Sequence, residues 1–232
     1  MVVMAQSADK YFAHARQEIA PLLPDTANRI LEIGCSSGAT LGWLREEWPD
    51  AEFWGVDGHA PLEPLIRARA GHALIHDLER PLPNIGQFDL ILALDVLEHL
   101  RKPEQVMADL AARLSPTGVI IISVPNVASY QIIAPLLLRR QFRYAEAGPM
   151  DRTHLRWFTE ESARDLIRGA GLGETAGVMT GFTGGKRRLF DACTLGCFRH
   201  FLTVQYILRG ERSAAQSFRW QKDWPRVQPD TA

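Results

Sequence analysis

Cysteine is scarce in this chain: Cys35, Cys193 and Cys197 are three among 232 residues. That number is too small and too odd for a disulfide framework, and it points to a reducing, cytoplasmic compartment. An excess of either charge is also missing. Twenty-six Lys and Arg meet 27 Asp and Glu, a formal net charge of −1, without the basic surplus that general nucleic-acid binding requires. No charged-then-apolar leader opens the chain. No apolar run reaches the roughly 18 residues of a membrane span, and the longest, Ile132 to Leu138, stops at Arg139 and Arg140. There is no internal repeat. What the chain does have is 46% hydrophobic and 23% charged residues, which excludes collagenous, coiled-coil and disordered classes and leaves a globular domain.

Short apolar runs alternate with helical patterns, as expected for a parallel sheet covered by helices. Strands are predicted at Arg29–Ile33, Glu52–Val56, Ala73–His76, Phe88–Ala93 and Val119–Val124. The fourth and fifth are almost unbroken in apolar character, which fits burial on both faces. Helices are predicted from Ala39 to Trp48, from Leu62 to Ala70, and from Pro103, where a missing N–H costs nothing. Residues 126–157 show no clear alternation. Thr159 then reads as an N-cap followed by Glu160 and Glu161, a placement the helix dipole favours. Further strands are predicted at Ala176–Phe182 and Leu202–Leu208. The expected organisation is one domain over residues 1–208, with 126–157 as a substrate-facing cap and 209–232 as a flexible polar tail.

Leu31-Glu-Ile-Gly-Cys-Ser-Ser-Gly38 follows a strand and opens a helix, where a doubly wound fold presents backbone amides to a ligand. No G-x-G-x-x-G can be written through it, which weighs against a nicotinamide-dependent oxidoreductase. Asp57 ends the second strand, placed to accept from both hydroxyls of a ribose. Asp77 ends the third, placed to accept from an adenine amino group with Gly58 and Leu78 beside it. Each feature alone is weak, since strand-end acids commonly face water. Together they fall along one carboxyl edge.

These residues resemble the class I S-adenosylmethionine-dependent methyltransferases. Arg29-Ile-Leu-Glu-Ile-Gly-Cys-Ser-Ser-Gly38 is similar to the family's first motif, with Ser36 in place of its middle glycine. Phe88-Asp-Leu-Ile-Leu-Ala-Leu-Asp-Val-Leu-Glu-His-Leu100 is similar to the fourth-strand motif, and Leu114 to Asn126 to the fifth-strand region. Met150-Asp-Arg-Thr-His-Leu-Arg-Trp-Phe-Thr159 resembles the Asp-x-Thr-His-x-Arg-Phe-Phe-Thr segment of a bacterial subgroup associated with surface-polysaccharide and secondary metabolism. The resemblance implies a Rossmann-like, mostly parallel sheet of seven strands, the last antiparallel and inserted between the fifth and sixth. It implies S-adenosyl-L-methionine as cofactor, held by Tyr11, Glu32, Gly34, Cys35, Ser36, Gly38, Asp57, Gly58, Asp77, Leu78, Leu94 and Asp95. The implied reaction is methyl transfer to oxygen, less readily nitrogen, of a small-molecule or glycan-type acceptor.

A hydroxyl acceptor must lose its proton, and histidine titrates in the useful range. His99 follows the fourth strand, and His154 sits in the segment the resemblance places over the substrate. Both are candidate catalytic residues, although His99 could equally pack at a helix start and His154 could pin its loop with Asp151 and Arg156. Between Arg139 and Arg156 stand five arginines against Glu146 and Asp151. With Arg143, Tyr144, Asp151, His154 and Arg156, this stretch is a candidate contact for an anionic substrate. Cys193 and Cys197 lack a second ligand pair, so no metal is expected. A cofactor- or partner-binding chain without turnover is the remaining alternative.

Overall fold

Unbroken runs of Ile, Leu and Val form the centre of the sheet. In the computed structural model, which describes residues 15–181, 191, 193–212 and 218–221, all five residues of Leu90-Ile-Leu-Ala-Leu94 are buried. Eight strands make one sheet: β1 (Arg29–Ile33), β2 (Glu52–Asp57), β3 (Gly71–Ile75), β4 (Phe88–Leu94), β5 (Leu114–Pro125), β6 (Gly173–Thr180), β7 (Gln205–Glu211) and β8 (Arg219–Trp220). Their order is β3-β2-β1-β4-β5-β7-β6-β8, and only β7 runs antiparallel to its neighbours.

Helices among the described residues include α1 (Ala39–Glu47), α2 (Glu63–Ala70), α3 (Pro103–Ala112), α4 (Tyr130–Arg139), α5 (Glu160–Gly169) and the single turn α6 (Arg199–Leu202). Alternate strand residues feed two separate cores. Leu31, Ile33, Ile91, Ile120 and Ile122 pack with Met107 and Leu110 of α3 and Leu166 of α5. Ile30, Leu90, Leu92, Val119 and Ile121 pack with Leu41 and Leu44 of α1, Ile66 of α2, and Ile19 and Leu22 of a 3-10 turn over Gln17–Leu22. Period-two alternation on strands buried on both sides is what this two-sided layering demands. α5 starts as expected, with Thr159 and Ser162 forming a capping box.

Four expectations need correction. Among the described residues the sheet has eight strands, not seven, because Arg219 and Trp220 pair in parallel with Ala176 and Gly177. The chain from 209 is not a free tail over its described part. Arg209 and Glu211 complete β7, Arg212 donates to the Ala111 and Leu114 carbonyls at the end of α3, and the Arg164 guanidinium lies 3.9 Å over the Phe218 ring. β7 begins at Gln205 rather than Leu202, since Leu202 ends the α6 turn and the Asn126 amide fastens the His200 and Thr203 carbonyls. Finally, residues 126–157 are not irregular throughout. α4 forms there with Pro135 inside it and Ile132 as its buried residue.

Candidate active site

The order β3-β2-β1-β4 places the reversal of strand progression between β1 and β4, and ligands of open α/β sheets bind outside the carboxyl ends at such a point. Three residues of the loop after β1 have left-handed backbone: Gly34 (φ 62°), Ser36 (φ 51°) and Gly38 (φ 76°). At Gly34 a Cβ would lie 2.6 Å from Val96 Cγ2, so only glycine fits. Ser36 keeps the conformation that glycine adopts freely, at a cost of roughly 1–2 kcal/mol. Its amide donates to Asp57 Oδ2 at 2.8 Å, while Asp57 Oδ1 accepts from the His59 amide at 2.8 Å. Each oxygen of Asp57 thus holds one backbone donor and retains acceptor capacity toward the half-open edge. Cys35 is buried beneath the loop as a thiol, its pKa raised by burial.

Glu32 lies behind this loop, 4% exposed, with Oε2 free of any hydrogen-bond partner among the described residues. Burial pushes its pKa up to about 8, against the opposing pull of the Arg16 charge and the Thr40 hydroxyl. A buried acid with a free oxygen beside a concave amide loop fits the cationic amino end of an amino-acid-bearing cofactor. Asp57 fits the ribose of the same molecule. Gly58 and Asp77 lie exposed at the neighbouring strand ends, with Asp77 Oδ1 accepting from the Glu79 amide at 3.0 Å. Leu78 is half-buried and lines a cleft of about 150 Å³ with Leu82, Lys102 and Val106. Tyr11 lies outside the described residues.

Leu94 is buried at the end of β4, and Asp95 follows it with φ 53°, a second non-glycine in the left-handed region. Asp95 accepts from the Ser123 hydroxyl at 2.8 Å and from Gln205, and it pairs with the Arg16 guanidinium, which also pairs with Glu18 and donates to Gln205 at 2.9 Å. Burial works against the Arg16 charge, but Asp95 and Glu18 outweigh it and hold the guanidinium more basic than usual. Arg16, Ser123 and Gln205 lie far apart in the chain, and sequence reasoning gave none of them a role beside Asp95.

The acceptor-side candidates come from two places. Glu98 and His99 lie in a 3-10 turn over Leu97–His99, and His154 lies beyond α4. The Glu98 carbonyl accepts from the amides of Leu155 (2.8 Å) and Arg156 (3.0 Å), which seats His154 against this turn. The rings of His99 and His154 meet edge to face at 4.8 Å. Thr153 Oγ1 donates to Asp151 Oδ1 at 2.7 Å and lies 3.0 Å from His99 Nδ1. A hydroxyl has one proton. With that proton on Asp151, the contact to His99 is an acceptor contact, which puts a proton on Nδ1, so that in the neutral imidazole the lone pair lies on Nε2. Burial and the neighbouring His99 lower the pKa of His154, so it is neutral at neutral pH. Burial also raises the Glu98 carboxyl well above the usual range, helped by Asp95. Asp151 goes the other way: burial opposes its charge, but the Thr153 amide and hydroxyl hold it below the ordinary value.

Among the proposed substrate contacts, Arg143 and Tyr144 are exposed, and Tyr144 meets Phe142, which in turn meets Trp157 beside His154. The Arg156 guanidinium reaches the Arg101 carbonyl and so fastens its own segment. The structure therefore brings His99, Asp151 and His154 together and leaves Arg143 apart in solvent.

A family model described as a methyltransferase domain matches residues 4–173. The chain belongs to this methyltransferase family. Membership favours the S-adenosylmethionine reading of the loop and removes the nicotinamide alternative. Among curated relatives, the chain is 28% identical over 117 residues to a tRNA U34 carboxymethyltransferase of Idiomarina loihiensis, a match covering 46% of this chain and 36% of that protein. It is 31% identical over 122 residues to a trans-aconitate 2-methyltransferase of an Azoarcus strain, covering 51% of this chain and 47% of that one. The chain thus spans about a third to a half of these relatives' lengths. A SAM-dependent methyltransferase structure from Thermotoga maritima, described as a possible histamine N-methyltransferase, superposes with a TM-score of 0.61 at 20% identity, over 85% of this chain and 86% of that one. That likeness carries the fold. No described helix is long and apolar enough to cross a membrane.

Proposed function

We propose that this methyltransferase-family chain transfers the methyl group of S-adenosyl-L-methionine to an oxygen, and less readily a nitrogen, of a small-molecule or glycan-type acceptor that carries negative charge. The observation that carries this reading is the join between two half-sites. A loop suited to the cofactor, with Asp57 and the free Glu32 oxygen, shares its sheet edge with an imidazole pair whose His99 Nε2 holds a lone pair. Methyl transfer from a sulfonium is an in-line displacement, so alignment supplies most of the rate, and only a hydroxyl acceptor calls on groups such as His99 and His154 to activate it. Residues 126–157 cover the acceptor, with Tyr144 and Asp151 at its mouth, Arg156 fastening the cover and Arg143 drawing an anionic acceptor from solvent.

The relatives' names support different acceptors, trans-aconitate in one case and tRNA in another. A net charge of −1 disfavours the second for this chain and leaves small acidic acceptors in front. The test is incubation with S-adenosylmethionine and a metabolite extract, read by mass spectrometry as products heavier by one methylene unit. Asp57→Ala should weaken S-adenosylhomocysteine binding by tenfold or more, on the order of 1–3 kcal/mol for buried hydroxyl contacts. An unchanged affinity in a folded variant removes Asp57 from the site, and an extract with no methylated product removes the acceptor class.

A further inference from the structure

Glu98, His99 and His154 do more than stand near one another. One donor atom from each lies within 4.8 Å of the other two, and His154 Nε2 is 4.0 Å from Glu98 Oε1, beyond a direct hydrogen bond. Glu98 is 1% exposed, yet its Oε2 has no hydrogen-bond partner among the described residues. The His154 side chain is 6% exposed, and its Nδ1 has no partner at normal hydrogen-bond length among the described residues, with only a weak pull from the Pro149 backbone. A structural pin would satisfy these atoms directly, since buried polar groups without partners are costly and rare. The surroundings instead match those of a ligand set. Thr153, itself held by Asp151, accepts a hydrogen bond from His99 Nδ1–H and so leaves Nε2 as the coordinating nitrogen, as groups behind a metal-bound imidazole commonly do. The Leu155 and Arg156 amides on the Glu98 carbonyl fix the distance between the two chain segments. Ligands of an ion bound at about 2.0–2.2 Å stand closer together than 4.8 Å, so side-chain rotation of about an ångström closes the set.

We propose that Glu98, His99 and His154 bind one divalent cation through two imidazoles and a carboxylate. This departs from the sequence expectation of no metal, which rested on the cysteines alone. Mixed nitrogen and oxygen donors favour zinc, manganese or iron(II) over magnesium or calcium. Three protein ligands leave open positions, and the role inferred for the ion rests on the methyl-transfer reading above. A hydroxyl or carboxylate oxygen of the acceptor takes an open position, and the ion lowers the hydroxyl's pKa so that the alkoxide attacks the methyl group. The proton leaves to solvent, the sulfonium departs as the neutral thioether, and the two imidazoles act as ligands.

The experiment uses the full chain, stripped with a chelator and titrated with zinc chloride and separately with manganese(II) chloride, against a chromophoric competitor. Bound metal is counted after desalting. Near one ion per chain is expected. His99→Asn should lower affinity at least tenfold, and Glu98→Gln should do the same. Thr153→Val should weaken binding by about tenfold through the orientation of His99. His72→Asn, near the start of β3 and away from the carboxyl edge, should change nothing. Circular dichroism and S-adenosylhomocysteine affinity report whether each variant is folded. His99 is only half-buried, so that variant keeps the test valid if Glu98→Gln fails to fold. A wild-type chain that holds no ion, or a folded His99→Asn that holds as much as wild type, overturns the site. Stoichiometric binding at these residues in a chain that methylates nothing would keep the metal site and sink the reaction instead.

Discussion

Replacing Glu32 by Gln removes a buried carboxyl while keeping its size. In the folded chain its pKa is about 8 rather than 4.5, so between those values the native state holds a proton that the unfolded chain has released. For an acid shifted upward the sign is unfavourable. Near and below 4.5 both states are protonated and the penalty vanishes; it grows as pH rises and levels off above about 8. At about 1.4 kcal/mol per pH unit, the full shift corresponds to roughly 5 kcal/mol, of which about 3 develops between about pH 5 and pH 8. Urea unfolding of wild type and Glu32→Gln at both ends of that window isolates this term, because every other carboxyl is common to the two proteins. Wild type should lose about 3 kcal/mol more than the variant as pH rises. S-adenosylhomocysteine at saturation should shrink the difference if its ammonium meets the free Oε2. Parallel pH dependences in the two proteins would refute the burial argument.

Gly34→Ala forces a Cβ to 2.6 Å from Val96 Cγ2 at a φ of 62°. It should cost roughly 1–3 kcal/mol in denaturant unfolding and weaken S-adenosylhomocysteine in calorimetry. Amide hydrogen exchange over residues 126–157 should slow when cofactor and acceptor bind, with the exposed stretch around Phe142–Ala147 changing most. Full protection of that stretch before any ligand is added would remove it as a moving cover.

The parallel half of the sheet was legible because strands buried on both faces write themselves as solid apolar runs, as in Leu90–Leu94 and Val119–Val124. The cap of α5 was legible because Thr159 and the acids after it form a local signal. α4 was hidden by Pro135, which ordinarily breaks a helix and here sits inside one. β8 was hidden by its length: two residues have no periodicity, and Trp220 is held by Phe218 and Tyr206 at ring distances of 4.9 and 6.1 Å, contacts that only the folded chain creates. In the site, Asp57 could be placed from its strand end alone. The Arg16–Asp95–Gln205 network could not, because it joins residues from both ends of the chain through the strand order. His99 and His154 were visible one at a time. Their meeting, with Glu98 between them, depends on two amides docking onto one carbonyl, and no side-chain pattern records that.

The short β8 has a bearing on how the molecule behaves in company. It lies along the outer rim of β6, where Gln221 donates to the Gly177 carbonyl at 2.7 Å and the Trp220 ring occupies the space a side chain at Gly177 would need. A rim left bare is a template for pairing with another chain. Trimming the protein before Phe218 would therefore do more than remove a peripheral ribbon. It would uncover hydrogen-bonding backbone at Ala176 and Gly177 beside newly wetted aromatic surface, and the shortened chain would tend to self-associate and lose solubility although every residue of the proposed catalytic edge was still present.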